Sequence, residues 1–189
     1  MTRILGISGS LRAQSFNTIL LRAAQALAPD GVVFDAATLH GIPLYDGDLE
    51  QGEGLPVAAA ELKERVVAAD GVLLVTPEYN NGIPGVFKNG IDWLSRPSSD
   101  IARVFGDRPF ALIGASPGGF GTILSQNAWL PVLRTLGTRF WSGGRLMVSR
   151  AHLAFDENGA IRDEKLRAQL ADFLAGFTAF IEAKAKGGD

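Results

Sequence analysis

Three short stretches hold most of the residues able to do chemistry. The first is Gly-Ser-Leu-Arg-Ala-Gln-Ser-Phe-Asn, residues 9–17. With Ser8 before it, this stretch gathers the hydroxyls of Ser8, Ser10 and Ser15, the Asn17 amide and the fixed cation of Arg12 where a helical pattern begins. Backbone N–H groups at a helix start point outward and carry about half a positive charge. Hydroxyls and a guanidinium added there suit a phosphate monoester. Serines before a helix are also ordinary caps, so this stretch alone leaves both readings open. It is not a Walker loop, because no Gly-Lys-Ser/Thr follows, and not a dinucleotide fingerprint, because Gly6 and Gly9 lack a third glycine opening the helix.

The second stretch is Pro-Glu-Tyr-Asn-Asn-Gly, residues 77–82. Pro77 fixes its own φ, while Asn80, Asn81 and Gly82 tolerate left-handed backbone. Such a loop can turn several backbone N–H and C=O groups toward one planar ligand, with Tyr79 against the ligand's edge or face. The third stretch is Ser-Pro-Gly-Gly-Phe-Gly-Thr, residues 116–122. Gly118, Gly119 and Gly121 let backbone approach a flat ring; taken alone, they also describe a tight turn. Together the three stretches suggest a flat heterocycle with a phosphate tail.

Little else in the chain is reactive. Nothing resembles a catalytic triad, and no Asp/Glu/His cluster suggests a metal. His40 and His152 lack ligand spacing and are expected on the surface or in loops. The chain has no cysteine, which excludes disulfides, thiolate catalysis and thiolate metal sites. Chemistry in such a pocket has to come from the ligand.

Hydropathy patterning supplies the elements that position these stretches. Strand one is Arg3–Ile7, strand two Val32–Leu39, strand three 71–76, strand four Pro109–Ala115, and strand five lies within 138–149, interrupted near Gly143 and Gly144. Val72-Leu73-Leu74-Val75 is a continuous apolar run, as a central parallel strand covered on both faces requires. Helices are expected at Phe16–Ala28, Val57–Ala69, Val86–Leu94 and Ile123–Leu136, the last carrying Pro131 and therefore a kink or a late start. The expected buried stripes are Phe16, Leu20, Ala23 or Ala24 and Leu27 on the first, and Ala58, Leu62, Val66 and Ala69 on the second. In the last helix Leu166, Leu170, Phe173, Phe177 and Phe180 recur at steps of three and four. Residues 40–56 read as a long loop rich in Gly, Pro and acid, and 95–108 as a second polar connection.

Alternating strands and helices imply an α/β fold with a parallel sheet and right-handed crossovers. In a five-stranded sheet of order 2-1-3-4-5, ligands bind beyond the carboxyl ends where strand order reverses, between strands one and three. The first two stretches open there and the third lies beside them. That coincidence is the main argument for a site.

The chain has 189 residues, enough for one domain with one sizeable core, and 1–189 is read as that domain. Apolar residues make up 47% and charged residues 20%, so it is globular rather than disordered. With a net charge of −2 and no basic block, nucleic acid is not an expected partner. No apolar run approaches the roughly 20 residues of a membrane span, and the N-terminus runs straight into a strand without a signal-peptide pattern. A cytoplasmic location is expected.

Gly-Ser-Leu-Arg-x-x-Ser-Phe-Asn at 9–17 and Thr-Pro-Glu-Tyr-Asn-x-x-x-Pro-Gly at 76–85 resemble the NADPH-dependent FMN reductase family, and within it the bacterial quinone and chromate reductases. The likeness continues through Lys-Asn-x-x-Asp-Trp-Leu-Ser-Arg-Pro at 88–97 and covers 4 to about 136. It implies a flavodoxin-like three-layer sandwich, bound FMN, and two-electron ping-pong reduction of quinones or of chromate, azo compounds or free flavin. NADPH or NADH is the implied donor, with hydride passing to flavin N5 and no catalytic side chain. Family phosphate contacts carry over onto Ser10, Arg12, Ser15, Phe16 and Asn17, and ring contacts onto Pro77, Glu78, Tyr79 and Asn80. Ser116, Gly118 and Gly119 match the third loop by position. In this setting Glu78 is read as a structural group whose backbone faces the flavin, not as a proton donor. Arg96 is a candidate for the nicotinamide phosphate, with a solvated arginine the plainer expectation. A homodimer or homotetramer is implied; helix three with Trp93 and the segment around Trp129 are candidate interfaces, and core packing is the alternative for each Trp. The rival readings are a one-electron flavin carrier, which the weak net charge disfavours, and a regulator that senses FMN or nicotinamide.

Overall fold

The computed structural model describes residues 1–185; residues 186–189 of the expected domain lie outside the described residues. Strands β1 (Thr2–Ser8), β2 (Val32–Ala37), β3 (Gly71–Val75) and β4 (Pro109–Ala115) pair in parallel in the order β2-β1-β3-β4. The fifth position is shared by β5 (Arg139–Phe140) and β6 (Leu146–Val148), both parallel to β4. This is the flavodoxin-like order 2-1-3-4-5, and the expected break at Gly143 and Gly144 separates the two halves of the last strand.

The sheet divides the core. Leu73 and Val75 face one side with Ile113 and Ala115, against α1 (Phe16–Ala26) and α8 (Glu164–Ala185). Val72 and Leu74 face the other side with Phe110 and Leu112, against α3 (Val57–Ala68), α4 (Gly85–Leu94) and α6 (Ile123–Thr135). Every residue of β3 and β4 is buried. That double coverage is why β3 reads as an unbroken apolar run, since successive side chains enter opposite cores. In α8 Leu166, Leu170, Phe173 and Phe177 are buried as their spacing requires, with Phe180 partly so.

Three helices went unread. α2 (Gly47–Glu53) lies within the long acidic loop and buries nothing. Its start is capped by the Asp46 carboxylate, which accepts from Asp48 N. α5 (Ile101–Phe105) lies in the second polar connection and docks Val104 and Phe105 into the α3/α4 core. α7 (Ala151–Ala154) follows β6. Each is too short to show a period. In α1 the buried residues are Asn17, Leu20, Leu21 and Ala24, so the stripe is rotated from the expected one and Phe16 and Leu27 pack at its margin. In α3, Ala59 and Lys63 are buried beside Leu62 and Val66, while Ala58 is only half-buried. Pro131 falls inside α6 without ending it, and the helix starts at Ile123, so the late start expected of that proline does not occur.

Candidate functional site

The three stretches leave the carboxyl ends of β1, β3 and β4, which are neighbours in the sheet. The hydrogen-bond ladder runs one residue past each strand: Gly9 N donates to Val75 O (2.9 Å), Thr76 N to Ile113 O (2.8 Å) and Ser116 N to Val148 O (2.9 Å). The loops therefore start in register, side by side at the reversal of strand order.

Loop one, residues 9–15, turns sharply against α4. A Cβ at Gly9 would run into the Phe87 ring, so only glycine lets the chain pass there. Ser10 and Ser15 are buried. Ser10 Oγ accepts from Arg12 N (3.3 Å), and Ser15 Oγ caps α1 by accepting from Asn17 N (3.2 Å). Each hydroxyl keeps its own proton to donate. Among the described residues, the N–H groups of Ser10, Leu11, Ala13 and Gln14 have no protein acceptor. The Arg12 guanidinium lies over the Phe16 ring, 5.3 Å from its centroid, and donates to Gln14 O (2.6 Å). No carboxylate pairs with it among the described residues. Unused N–H groups, hydroxyl donors and an unneutralised guanidinium form a donor set suited to an anion.

Asn17 is used differently. Its Nδ2 donates to Ala115 O (2.8 Å) and its Oδ1 accepts from Ala115 N (2.9 Å). The amide expected to face a phosphate is bonded through its oxygen and one of its two N–H donors to the end of β4, so it joins loops one and four and keeps one N–H.

Loop three, residues 76–82, is pinned at three points. Thr76 Oγ1 accepts from Trp129 Nε1 (3.1 Å), bonds Ser125 Oγ (2.9 Å) and donates to Pro77 O (2.9 Å), all in buried surroundings. Glu78 Oε2 accepts from Leu124 N (2.8 Å) and Ser125 N (3.0 Å) at the start of α6. Tyr79 and Gly82 exchange backbone bonds across a two-residue turn whose centre, Asn80 (φ 49°) and Asn81 (φ 62°), is left-handed at both positions. The tolerance read from those asparagines is thus used. The Glu78 carboxylate points to α6, as a structural group would, and the Tyr79 ring is 48% exposed.

Loop four, residues 116–122, has Ser116 half-buried, with its Oγ accepting from Gly118 N (3.1 Å). Gly118 O accepts from Arg150 N (2.9 Å). Nothing lies within 4 Å of a Cβ built at Gly119, and Phe120 beside it is 86% exposed. The near end of this loop is tight: a Cβ at Gly114 would run into Thr76 O and Thr122 Oγ1.

The 40–56 segment is latched to α4. Pro43 O accepts from Asn89 Nδ2 (2.8 Å) and Trp93 Nε1 (2.9 Å), and Tyr45 N donates to Asn89 Oδ1 (2.8 Å). Glu50 accepts from Tyr45 OH (2.9 Å) and from Arg96 Nε (2.8 Å). The Arg96 bond, aided by the Tyr45 bond, lowers the Glu50 carboxyl from its ordinary range. The same contacts raise the Tyr45 phenol and the Arg96 guanidinium, chiefly through Glu50. Arg96 is paired with Glu50 and lies over the Tyr45 ring, while its side chain keeps a solvent-exposed part. His40 sits exposed in a loop as expected, with Nε2 donating to Leu11 O (3.2 Å) in loop one.

Sequence reasoning did not find the Thr76–Ser125–Trp129 cluster or the Glu50–Arg96 latch. Their members stand 46 to 53 residues apart, and no local pattern pairs them. A cleft of about 720 Å³ opens at the opposite, amino ends of the strands. Arg108 and Arg139 line it together with Asp70, Asp107 and Glu182, and it is remote from all three loops.

Residues 2–153 match the family described as NADPH-dependent FMN reductase. The chain is 41% identical over 179 residues to an NAD(P)H-dependent FMN reductase of Pseudomonas aeruginosa, covering 95% of each. It is 36% identical to a 2-hydroxy-1,4-benzoquinone reductase of a Burkholderia species, covering 95% of this chain and 96% of that one. Among solved structures it superposes on the flavoenzyme NAD(P)H:(acceptor) oxidoreductase FerB of Paracoccus denitrificans with a TM-score of 0.86, 33% identity, and coverage of 97% of this chain and 98% of that one.

Proposed function

This chain belongs to the NADPH-dependent FMN reductase family, and from that premise we propose that it reduces quinones with NAD(P)H in a ping-pong cycle, on FMN held by the three loops of a single domain. The enzyme class, the FMN cofactor and the NAD(P)H co-substrate come with the family. The quinone acceptor is supported by the relatives named for it, the Burkholderia enzyme and a quinone reductase of Escherichia coli that is 33% identical over 183 residues, covering 95% of each. Chromate, azo compounds and free flavin are secondary acceptors for the same open face.

The observation that carries the assignment is loop one. Its unused N–H groups, the Ser10 and Ser15 hydroxyls and the unpaired Arg12 fit a flavin phosphate. Phe16 supports the guanidinium from below. The backbone of Pro77, Glu78, Tyr79 and Asn80 would hold the ring edge. Ser116, Gly118 and Gly119 offer a low wall without bulky side chains. When bound, FMN would supply the two-electron chemistry between NAD(P)H and a quinone. The protein orients the ring, balances the phosphate charge and limits access by water. On this reading one proton of the reduced quinone would come from the transferred hydride and the other from solvent.

The protein should act as a homodimer or homotetramer. Trp93 and Trp129 are fully buried, so neither is an interface anchor; both pack in the core. Phe120, Ile123, Leu124 and Leu130 are exposed on and before α6 and are the better surface for a second copy. Sedimentation of the wild type and of L124K should show the loss of the dimer in the variant. Among the described residues no helix is long and apolar enough to cross a membrane, and the cytoplasm, which supplies NAD(P)H, is the proposed compartment.

Absorption spectroscopy tests the assignment. Purified protein should be yellow, bleach anaerobically with NADPH or NADH, and regain colour on adding a quinone. A colourless protein that takes up no FMN sinks it.

A further inference from the structure

The amino end of α6 has no cap of its own. Thr122 makes no side-chain bond to a helix N–H; its Oγ1 instead accepts from Gln126 Nε2 (3.0 Å). The N–H groups that a cap would satisfy, those of Leu124 and Ser125, are taken by the Glu78 carboxylate from 46 and 47 residues away. A carboxylate on helix N–H groups is a charge-assisted contact, favoured by the helix dipole. α6 is thereby closed to other anions, and an open phosphate donor set is left at loop one. Glu78 also sits between two other anchors of loop three, the Thr76 cluster on one side and the Tyr79–Gly82 turn on the other. Loop four runs directly into α6, so the same carboxylate fixes the far end of that loop.

The geometry points to Glu78 as a positioning residue that locks loops three and four into one rigid wall against the flavin ring, without its carboxylate touching the flavin. This rests on the FMN reading above. The role belongs to the ring, not the phosphate, and that distinguishes it. A residue acting on the ring wall affects FMN and riboflavin alike, whereas a phosphate ligand affects FMN alone.

The test is apoprotein titrated with FMN and with riboflavin, followed by flavin fluorescence quenching, with circular dichroism to check folding. E78A should weaken both flavins by the same factor, about tenfold, equivalent to about 1.4 kcal/mol. E78Q keeps an acceptor oxygen in place and should restore both affinities to within about threefold of wild type. R12A, the control, should weaken FMN and leave riboflavin unchanged. If E78A does not fold, E78D, one methylene short of the two N–H groups, carries the same expectation. Wild-type affinity in E78A, a loss confined to FMN, or an E78Q as weak as E78A overturns the role. Wild-type apoprotein that takes up neither flavin overturns the functional reading itself, and this inference with it.

Discussion

Asn17 and Ala115 exchange two hydrogen bonds, 2.8 and 2.9 Å long, between a side-chain amide and a backbone amide 98 residues away. The Asn17 carboxamide presents one donor and one acceptor, as the backbone of a neighbouring strand would. Through it α1, which starts at the proposed phosphate loop, is fastened to the end of β4, where loop four begins. A residue that reads as a ligand contact thus works as a clasp between two halves of the site.

Removing that clasp should be costly. N17A leaves the buried N–H and C=O of Ala115 without partners, at a cost of about 2–4 kcal/mol. Urea denaturation should show a lower midpoint with an unchanged slope. FMN should partly restore the midpoint by binding the native state alone. An N17A midpoint equal to wild type would show that Ala115 finds other partners.

The glycines at the site should separate by role. G114A puts a methyl group into Thr76 O and Thr122 Oγ1, neither of which can yield without moving backbone or breaking the Thr122–Gln126 bond. A loss of about 2 kcal/mol or more is expected. G119A meets nothing within 4 Å and should leave stability within about 0.5 kcal/mol. If the flavin approaches this wall, G119A should still weaken FMN binding. Thermal melts of the apoproteins beside FMN titrations separate the two effects.

The latch of the 40–56 segment should depend on pH at both extremes. Glu50 titrates below its ordinary value in the folded protein, mainly through the Arg96 bond. Its contribution is therefore present above the unfolded carboxyl pKa of about 4.3 and is lost as pH falls through the lower folded value. Tyr45 titrates above its ordinary value, mainly through its bond to Glu50. Its contribution is complete below about pH 10 and is lost as pH rises through the raised folded value. Limited proteolysis across pH should find this segment protected between those limits and cut outside them. E50Q should abolish the acid limb, and equal cutting of wild type and E50Q at pH 3.5 and 6 would refute the latch.

Arg12 should set the salt response. R12A is expected to reduce FMN affinity by about tenfold or more at low salt, as loss of a charge-assisted phosphate contact would. The difference from wild type should narrow as ionic strength rises, because the site is exposed and its charge is screened. A salt-independent deficit would place the arginine's contribution in packing on Phe16 rather than in charge.

Much of this protein was determined by local sequence. Continuous apolar runs fixed β3 and β4, because a strand buried on both faces cannot carry polar residues. The alternation of runs and amphipathic stretches fixed a parallel sheet with helices on both faces, and Asn80-Asn81 fixed a left-handed turn that few other residues accept. Those features depend on neighbours in the chain, so they could be read from it. What each polar side chain in the loops faces was decided only by folding. Asn17 found Ala115, Glu78 found the start of α6, Thr76 found Ser125 and Trp129, and Arg96 found Glu50. Each of these pairs joins groups far apart in sequence whose hydrogen bonds exist only once burial removes competing water, and no periodicity records such a pairing.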